Sequence, residues 1–320
     1  MRLIFFTIAF LFCDCKRDNK PKADVPSISI DHLLQKKAKY CELGAAHGDS
    51  KAWTISSCDS LEYAALWGTA CGEIPIEGFM SVTEPGKWFR TTAQDCFVDG
   101  KDNGSDSTIS RDMFRGLYHY FLQHEKIDLV RDTIGYGEDH NWIMGEAKDT
   151  ETLVSKCLLS PGMINELYNT ETYLEPQFGG KLDDEKQEEF SIENTGFRAH
   201  LDVLGIVYRG RLHGAITDSE LKTLEHQAAR QPENAVYQFA LYLYKPTHDL
   251  GLALQILQSE QYFPSDRLPT TADRCVDYLF SHDKNDPDWL PCPEKNETLP
   301  GVDLVWAISI LDGTLEKKAR

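Results

Sequence analysis

Apolar residues that recur every three or four positions dominate this chain from Ile30 onward, and this period constrains the fold more than any other feature. The clearest case is the segment 109–123, where Ser110 is a suitable N-terminal cap. Five large apolar side chains share one face of that segment: Ile109, Met113, Leu117, Tyr120 and Phe121. The pattern predicts an all-α fold class.

Capping residues and prolines mark where several of these helices begin and end. The sequence from Thr217 to Glu220 has the form of a capping box, and Pro232 stops the helix that follows it. Pro161, directly after Ser160, fits the first turn of another helix, where a missing N–H costs nothing. About ten or eleven helical segments and no β-hairpin are predicted in this way.

The layout of these helices, joined by long loops that carry Asp, Arg, His and Trp, resembles the (α/α)-toroid proteins of the six-hairpin glycosidase type. The resemblance covers most of residues 30–313 and concerns the arrangement of helices. It implies antiparallel helical hairpins closed into a ring, with inner helices converging on a funnel, and a glycan as ligand or substrate. A helical array is the alternative packing.

The first residues resemble the front end of a bacterial lipoprotein. Arg2 is followed by the apolar run Leu3–Phe12, which is too short to span a bilayer as a helix. Cys13 and Cys15 come next, and either is a candidate for lipidation. An ordinary signal peptide is the alternative, and both interpretations predict an exported protein.

The chain is accordingly divided into three parts. Residues 1–15 form the leader, residues 16–29 a polar tether, and residues 30–320 a helical globular domain. The tether is charged and follows the apolar run directly. On the lipoprotein interpretation, the only expected contact with a membrane is an N-terminal lipid anchor, and the protein is located in the periplasm or on the outer membrane.

The acidic balance of the chain argues against nucleic acid as a partner. It has 51 Asp and Glu against 33 Lys and Arg, a net charge of −18, whereas phosphate binding relies on clustered Lys and Arg. The sequence has no G-x-S-x-G elbow, P-loop, H-E-x-x-H or dinucleotide-binding glycine motif. We expect no cofactor and no metal site.

Cysteines beyond the leader are interpreted as disulfide partners, because disulfides are the default in an oxidising compartment. Cys275 and Cys292 are the favoured pair, since they flank a loop rich in Pro and Asp. Four cysteines lie between residues 41 and 96, which leaves room for one or two further bridges. Seven cysteines follow the leader, so an odd thiol is expected to stay free.

Acid–base chemistry by paired carboxylates remains once these motifs are excluded. Asp59 and Asp112 are the candidate catalytic pair, because both are placed at helix starts at one end of the fold. For each of them, a purely structural role at the helix N-terminus is the alternative.

A sugar-binding surface is predicted around residues 138–146, the densest mixture of acidic, amide and aromatic side chains. A Trp ring covers the apolar face of a sugar, while Asp, Asn and His bind its hydroxyls. A Trp buried in a helix–loop turn is the alternative. The candidate substrate-binding residues are Arg111, Asp139, His140, Trp142, Arg198, His200 and Arg274.

Two functions from different classes therefore remain open. The first is an exported carbohydrate-active or carbohydrate-binding protein, whose ligand is a poly- or oligosaccharide. The second is a non-catalytic envelope lipoprotein that acts as an adhesion or assembly scaffold. An enzyme must gather its acids and aromatics around one pocket, whereas a scaffold can distribute them over its surface.

Overall fold

Helices account for most of the computed structural model. Ten α-helices are present among the residues that the structure describes, which are 29–46, 60–92, 97–98, 101–102, 109–148, 154–176, 189–270, 272–273, 298–299 and 301–315. They are α1 (Ile30–Ala46), α2 (Ser60–Cys71), α3 (Arg111–His124), α4 (Ile127–Asp139), α5 (Pro161–Leu174), α6 (Gly196–His213), α7 (Asp218–Arg230), α8 (Ala235–Tyr244), α9 (Gly251–Gln258) and α10 (Val302–Leu311). The all-α class is thus confirmed.

The capping signals of the sequence act as expected at two helix starts. The Thr217 hydroxyl accepts a hydrogen bond from the Glu220 backbone N–H at 3.2 Å, and the Glu220 carboxylate accepts one from the Thr217 N–H at 2.7 Å. Ser160 caps α5 by accepting from the Met163 N–H at 3.2 Å. Ser110 also occupies a capping position, before α3, but its side chain makes no capping hydrogen bond.

The prediction that the chain lacks a β-hairpin is wrong. Strands β3 (Ile143–Lys148) and β4 (Val154–Leu158) pair in antiparallel register, with a bulge between Ile143 and Glu146. Two shorter strands, β1 (Phe97–Val98) and β2 (Lys101–Asp102), also pair. Gly145 and the charged residues of β3 interrupt its apolar alternation, so the pattern was too weak to distinguish a strand from a loop.

The tightest helix pair runs parallel, which differs from the expected antiparallel hairpins. Gly116 of α3 packs against the Glu62 carbonyl near the start of α2, and His124 Nε2 lies 3.0 Å from the Gly68 carbonyl oxygen further along it. The earlier contact in α3 is thus made to the earlier residue of α2, and the later contact to the later residue, so the two helices point in the same direction. Residues 72–110 connect the two helices in the sequence.

Helix α6 extends this parallel set. His119 Nε2 lies 3.1 Å from the Leu204 carbonyl oxygen, and Gln123, one turn further along α3, bonds Arg211, further along α6. The first turns of α2, α3 and α6 therefore lie at the same end of the bundle. This end carries three residues that the sequence analysis singled out, namely Arg111, Asp112 and Arg198.

Antiparallel neighbours surround the parallel helices. The Cys41–Cys71 disulfide joins α1 to the far end of α2, and Gly44 packs against the Trp67 ring. Helices α7 and α8 also run antiparallel, since Lys245 pairs with Glu225 at 2.7 Å while Gln238 donates to the Ala228 carbonyl at 2.8 Å.

The interior consists of two apolar clusters that meet at α2. One joins α2 to α1, α6, α8 and α10, and the other joins α2 to α3, α4 and α5. One face of α2 contributes Leu66, Trp67 and Ala70 to the first cluster, and another contributes Leu61, Ala64 and Ala65 to the second. All residues of α2 from Ser60 to Ala70 are buried. Such burial on every side is typical of a central helix rather than of an amphipathic surface helix.

Candidate functional site

The end of α4, the turn that follows it and Tyr168 of α5 form one aromatic and acidic corner. We call this surface the α4 corner, and its members are Tyr136, Glu138, Asp139, His140, Asn141, Trp142 and Tyr168. Four consecutive polar side chains, 138–141, are exposed there. The sequence predicted this cluster, and the structure adds Tyr136 and Tyr168.

The turn of the α4 corner is held in a conformation that non-glycine residues rarely adopt. Asn141 has φ +53° and Trp142 has φ +62°. Asn visits this left-handed region readily, whereas a bulky Trp does not, and each such residue costs about 1–3 kcal/mol. A backbone hydrogen bond of 2.6 Å from the Trp142 N–H to the Gly137 carbonyl closes the turn.

Gly137 allows the Trp142 ring to lie directly on the helix backbone. A Cβ atom at residue 137 would come within 2.5 Å of the indole ring, so any other residue would displace the ring. The indole also meets Tyr168 edge-on, with ring centroids 5.8 Å apart. The backbone at Gly137 and the Tyr168 ring therefore hold the indole of Trp142 in place, and the side chain stays partly exposed.

A second aromatic pair lies on the same end of α4. The rings of Tyr136 and His140 stack with centroids 4.0 Å apart and an interplanar angle of 20°. His140 Nδ1 is 2.9 Å from the Tyr136 carbonyl oxygen, so this nitrogen carries the proton and donates. The exposed His140 ring thereby presents a fixed face to solvent.

Glu138 of the α4 corner is hydrogen-bonded to an aromatic residue of the same surface. The Tyr168 hydroxyl donates to Glu138 Oε1 at 2.6 Å. Burial, and then this hydrogen bond to the carboxylate, raise the pKa of Tyr168, so the phenol stays protonated as a donor. Asp139 is exposed beside Glu138, and the corner thus offers carboxylate, amide and imidazole groups around ring faces.

The structure brings Arg111 and Asp112 to strand β4, whose end adjoins the α4 corner. Arg111 Nε donates to the Leu158 carbonyl at 3.1 Å, and the Leu159 N–H donates to the Trp142 carbonyl at 3.1 Å. Burial, and then the negative charge of Asp112, raise the pKa of the neighbouring Cys157 thiol to about 12. Asp112 itself remains partly exposed.

The other candidate residues do not join this surface. His200 is completely buried, with Nε2 3.3 Å from Glu62 Oε1, so the prediction that it binds substrate is wrong. The helical period around it predicted a buried helix, but it did not indicate whether this side chain faces the interior or the solvent. Arg198 is exposed at the start of α6 over the Phe197 ring, and no contact links it to the corner. Asp59, Arg274, Cys275 and Cys292 lie outside the described residues.

Two buried ion pairs and one buried histidine–glutamate contact between helices were missed by the sequence analysis. Arg115 bonds Glu166 at 2.8 Å, Arg209 pairs with Glu220 at 2.9 Å, and His200 faces Glu62. Each is almost completely buried. Their partners are far apart in the sequence, so spacing alone offered no signal. Burial lowers the pKa of His200 to about 3, which keeps its ring neutral.

The cysteines follow the expectation in part. Cys41 and Cys71 form a disulfide, within the region where one or two bridges were predicted. Cys157 is a free and buried thiol, in agreement with the expected odd cysteine.

Across the described ranges, no group of three or more His, Cys, Asp or Glu side chains is arranged to hold a metal ion. No described helix has the length and apolar character that crossing a bilayer requires.

No protein-family model, no curated protein and no solved structure matches this chain. Its function must therefore be argued from its own residues.

Proposed function

We propose that this chain is an exported carbohydrate-binding protein and that the α4 corner binds the sugar. The observation that carries the proposal is the left-handed backbone at Asn141 and Trp142, which presents a large aromatic side chain at an exposed turn. Backbone strain of this kind concentrates at functional sites, and packing elsewhere has to offset it.

The chemistry of the α4 corner suits a sugar ring. The indole of Trp142 and the stacked ring of His140 supply flat surfaces for the C–H face of a pyranose. The exposed side chains of Asp139, which precedes His140, and Asn141, which lies between His140 and Trp142, supply hydrogen-bond partners for hydroxyl groups. Because Tyr168 and Gly137 fix the indole, little side-chain entropy is lost on binding.

Glycan cleavage by Asp59 and Asp112 is the enzymatic extension of this proposal. Two observations favour it. The first turns of α2 and α3 lie at one end of the bundle. Asp112 is partly exposed near Cys157 of β4, and Leu159, directly after this strand, donates to the Trp142 carbonyl. In this extension one acid donates a proton to the glycosidic oxygen and the other acts as base or nucleophile.

The Cys41–Cys71 disulfide supports export, because disulfides persist in oxidising compartments. In this proposal the leader, residues 1–15, directs export of the protein, and a lipid attached to Cys13 or Cys15 anchors it to the membrane. The net charge of −18 fits a sugar ligand better than a nucleic acid.

A glycan-binding screen tests the proposal. The purified protein is incubated with envelope and plant polysaccharides, and binding is read by thermal shift while cleavage is read by release of reducing ends. For any glycan that binds, Trp142→Ala is expected to weaken affinity at least tenfold, about 1.4 kcal/mol. Tyr262→Ala is the matched control, since Tyr262 is a partly exposed aromatic residue outside the corner.

The outcomes separate the candidate functions. Binding lost in Trp142→Ala and kept in Tyr262→Ala supports the sugar site. Release of reducing ends that Asp112→Asn or Asp59→Asn abolishes supports the enzyme. Failure of every glycan to shift the melting temperature contradicts the proposal and favours a non-catalytic adhesion or assembly scaffold.

A further inference from the structure

Arg211, near the end of α6, is a cation in the interior of the protein. Its side chain is completely buried. Burial lowers the pKa of its guanidinium to about 10, so it still carries its charge at neutral pH. A charge taken out of water is normally compensated by an ionic partner, because desolvation costs several kcal/mol per ion.

The partners of Arg211 within the described residues are neutral. Nη1 donates to His119 Nδ1 at 3.1 Å, and Nη2 donates to the Gln123 side-chain oxygen. His119 Nε2 must donate to the Leu204 carbonyl, so Nδ1 is an acceptor and the ring is uncharged. Burial, and then the charge of Arg211, lower the pKa of His119, in agreement with this tautomer.

Buried carboxyl groups of the neighbouring helices α2, α5 and α7 contact other basic side chains. Glu166 lies 2.8 Å from Arg115, Glu220 lies 2.9 Å from Arg209, and Glu62 faces His200. Across the part of the chain that the structure describes, no carboxylate forms an ion pair with Arg211.

Two buried N–H groups beside His119 lack an acceptor among the described residues. One is Nε of Arg211, and the other is the indole Nε1 of Trp306. Trp306 meets the His119 ring edge-on, with centroids 5.9 Å apart, while Arg211 bonds the same ring through Nδ1. Since buried donors are nearly always satisfied, each of these calls for an acceptor.

We propose that Arg211 and Trp306 bind a small inorganic anion, chloride or another halide, in the core between α3, α6 and α10. An anion accepts from both unsatisfied donors and supplies the missing counter-charge, which a water molecule does not. Both side chains are completely buried, which limits the size of an ion that can lie beside them. A monatomic ion fits these surroundings better than phosphate or a carboxylic acid.

Halide dependence of stability tests this site. Thermal unfolding of the full chain is followed at constant ionic strength while sodium gluconate is replaced by sodium chloride or bromide. At a halide concentration of about 100 times the dissociation constant, the melting temperature is expected to rise by about 4–10 °C, because a ligand that binds only the native state stabilises it by mass action. Crystals grown in bromide are expected to show an anomalous peak within hydrogen-bond distance of Arg211 Nε.

Substitutions with a matched control assign the effect. Trp306→Phe removes one donor and keeps a ring, and it is expected to weaken halide binding about tenfold. Trp88→Phe is the control, because the buried Trp88 Nε1 already donates to Thr133 Oγ1 at 2.9 Å; the halide effect is expected to stay. Arg211→Met is expected to abolish it.

The same measurements can overturn the site. A water molecule without anomalous signal beside Arg211, equal melting temperatures in gluconate and chloride, or a halide effect that persists in Trp306→Phe at its original strength would each contradict it. If Arg211→Met fails to fold, the bromide crystals and the Trp306 and Trp88 variants still decide the question.

Discussion

Arg115 and Glu166 form an ion pair of 2.8 Å between α3 and α5, and their side chains are only 3% and 4% exposed. Removing one partner leaves the other charge buried, so Glu166→Gln is expected to lower the free energy of unfolding by about 3–5 kcal/mol. The double variant Arg115→Met/Glu166→Leu is expected to lose less than the single one. Urea denaturation of both proteins measures the difference.

An exposed pair provides the control for this experiment. Lys39 and Glu42 on α1 lie 3.1 Å apart with side chains 47% and 71% exposed. Glu42→Gln is expected to change the free energy of unfolding by less than about 1 kcal/mol, because solvent and salt screen such pairs. An equal loss in Glu42→Gln and Glu166→Gln would show that burial is not the cause.

Gly116 and Gly135 are helical glycines with opposite expectations. A Cβ atom at Gly116 would lie 2.7 Å from the Glu62 carbonyl oxygen, so Gly116→Ala is expected to separate α2 from α3 and to cost about 1–3 kcal/mol. A Cβ atom at Gly135 meets nothing within 4 Å, and Gly135→Ala is expected to stabilise by about 0.5–1 kcal/mol. Thermal unfolding of each variant measures the change in stability. Destabilisation by Gly135→Ala would contradict the open space around the Cβ position of residue 135 on α4.

Acid is expected to destabilise the protein through His200. Its pKa is about 3 in the folded protein because of burial, against about 6.5 in an unfolded chain. Between these values the unfolded state binds one more proton, so the free energy of unfolding falls as pH drops, by about 1.4 kcal/mol per pH unit from this residue. The stability from its neutral form is present above pH 6.5 and is lost progressively towards pH 3.

His200→Gln is expected to make the decline between pH 6 and pH 4 less steep by that amount. His140→Gln, which alters an exposed ring, is the control and is expected to retain the original slope. Urea midpoints at several pH values measure both variants, and an unchanged slope in His200→Gln would mean that the residue is accessible to protons in the native state.

The disulfide between Cys41 and Cys71 closes a loop with a sequence separation of 30. Replacing both cysteines with Ala is expected to lower the free energy of unfolding by about 3–4 kcal/mol, because the unfolded chain gains conformational entropy. Cys157→Ala is the control, since that thiol is free. Denaturation under non-reducing conditions compares the three proteins; equal stability of the double variant and the parent would contradict a structural role for the bridge.

Local chemistry explains which elements could be predicted from the sequence. The capping box at Thr217 and the proline at position 161 act within one helical turn, so the residues themselves determine where α7 and α5 begin. Residues 138–142 of the α4 corner were singled out on the same basis, as a cluster of polar and aromatic residues that are neighbours in the sequence. Its left-handed turn was not predicted, because that conformation depends on Gly137 accepting the Trp142 ring.

Contacts over long sequence distances could not be predicted in this way. Arg115 meets Glu166 across 51 positions and Glu62 meets His200 across 138, and spacing carries no information at that range. The same limit applies to the direction of helices: the contact between Gly116 and Glu62 makes α2 and α3 parallel, and only tertiary structure reveals it.

Helix α10 is buried almost from end to end, against α1, α2 and α8. Lys37 of α1 pairs with Asp312, which directly follows α10, at 2.6 Å. The first described helix thus completes its packing with α10, the last of the described helices to be synthesised. Until residues 302–312 have been synthesised, the apolar faces of α1, α2 and α8 remain uncovered, and a nascent chain in that condition is a substrate for chaperones and a hazard for aggregation. Folding of the described helices is therefore expected to wait until residues 302–312 have left the ribosome.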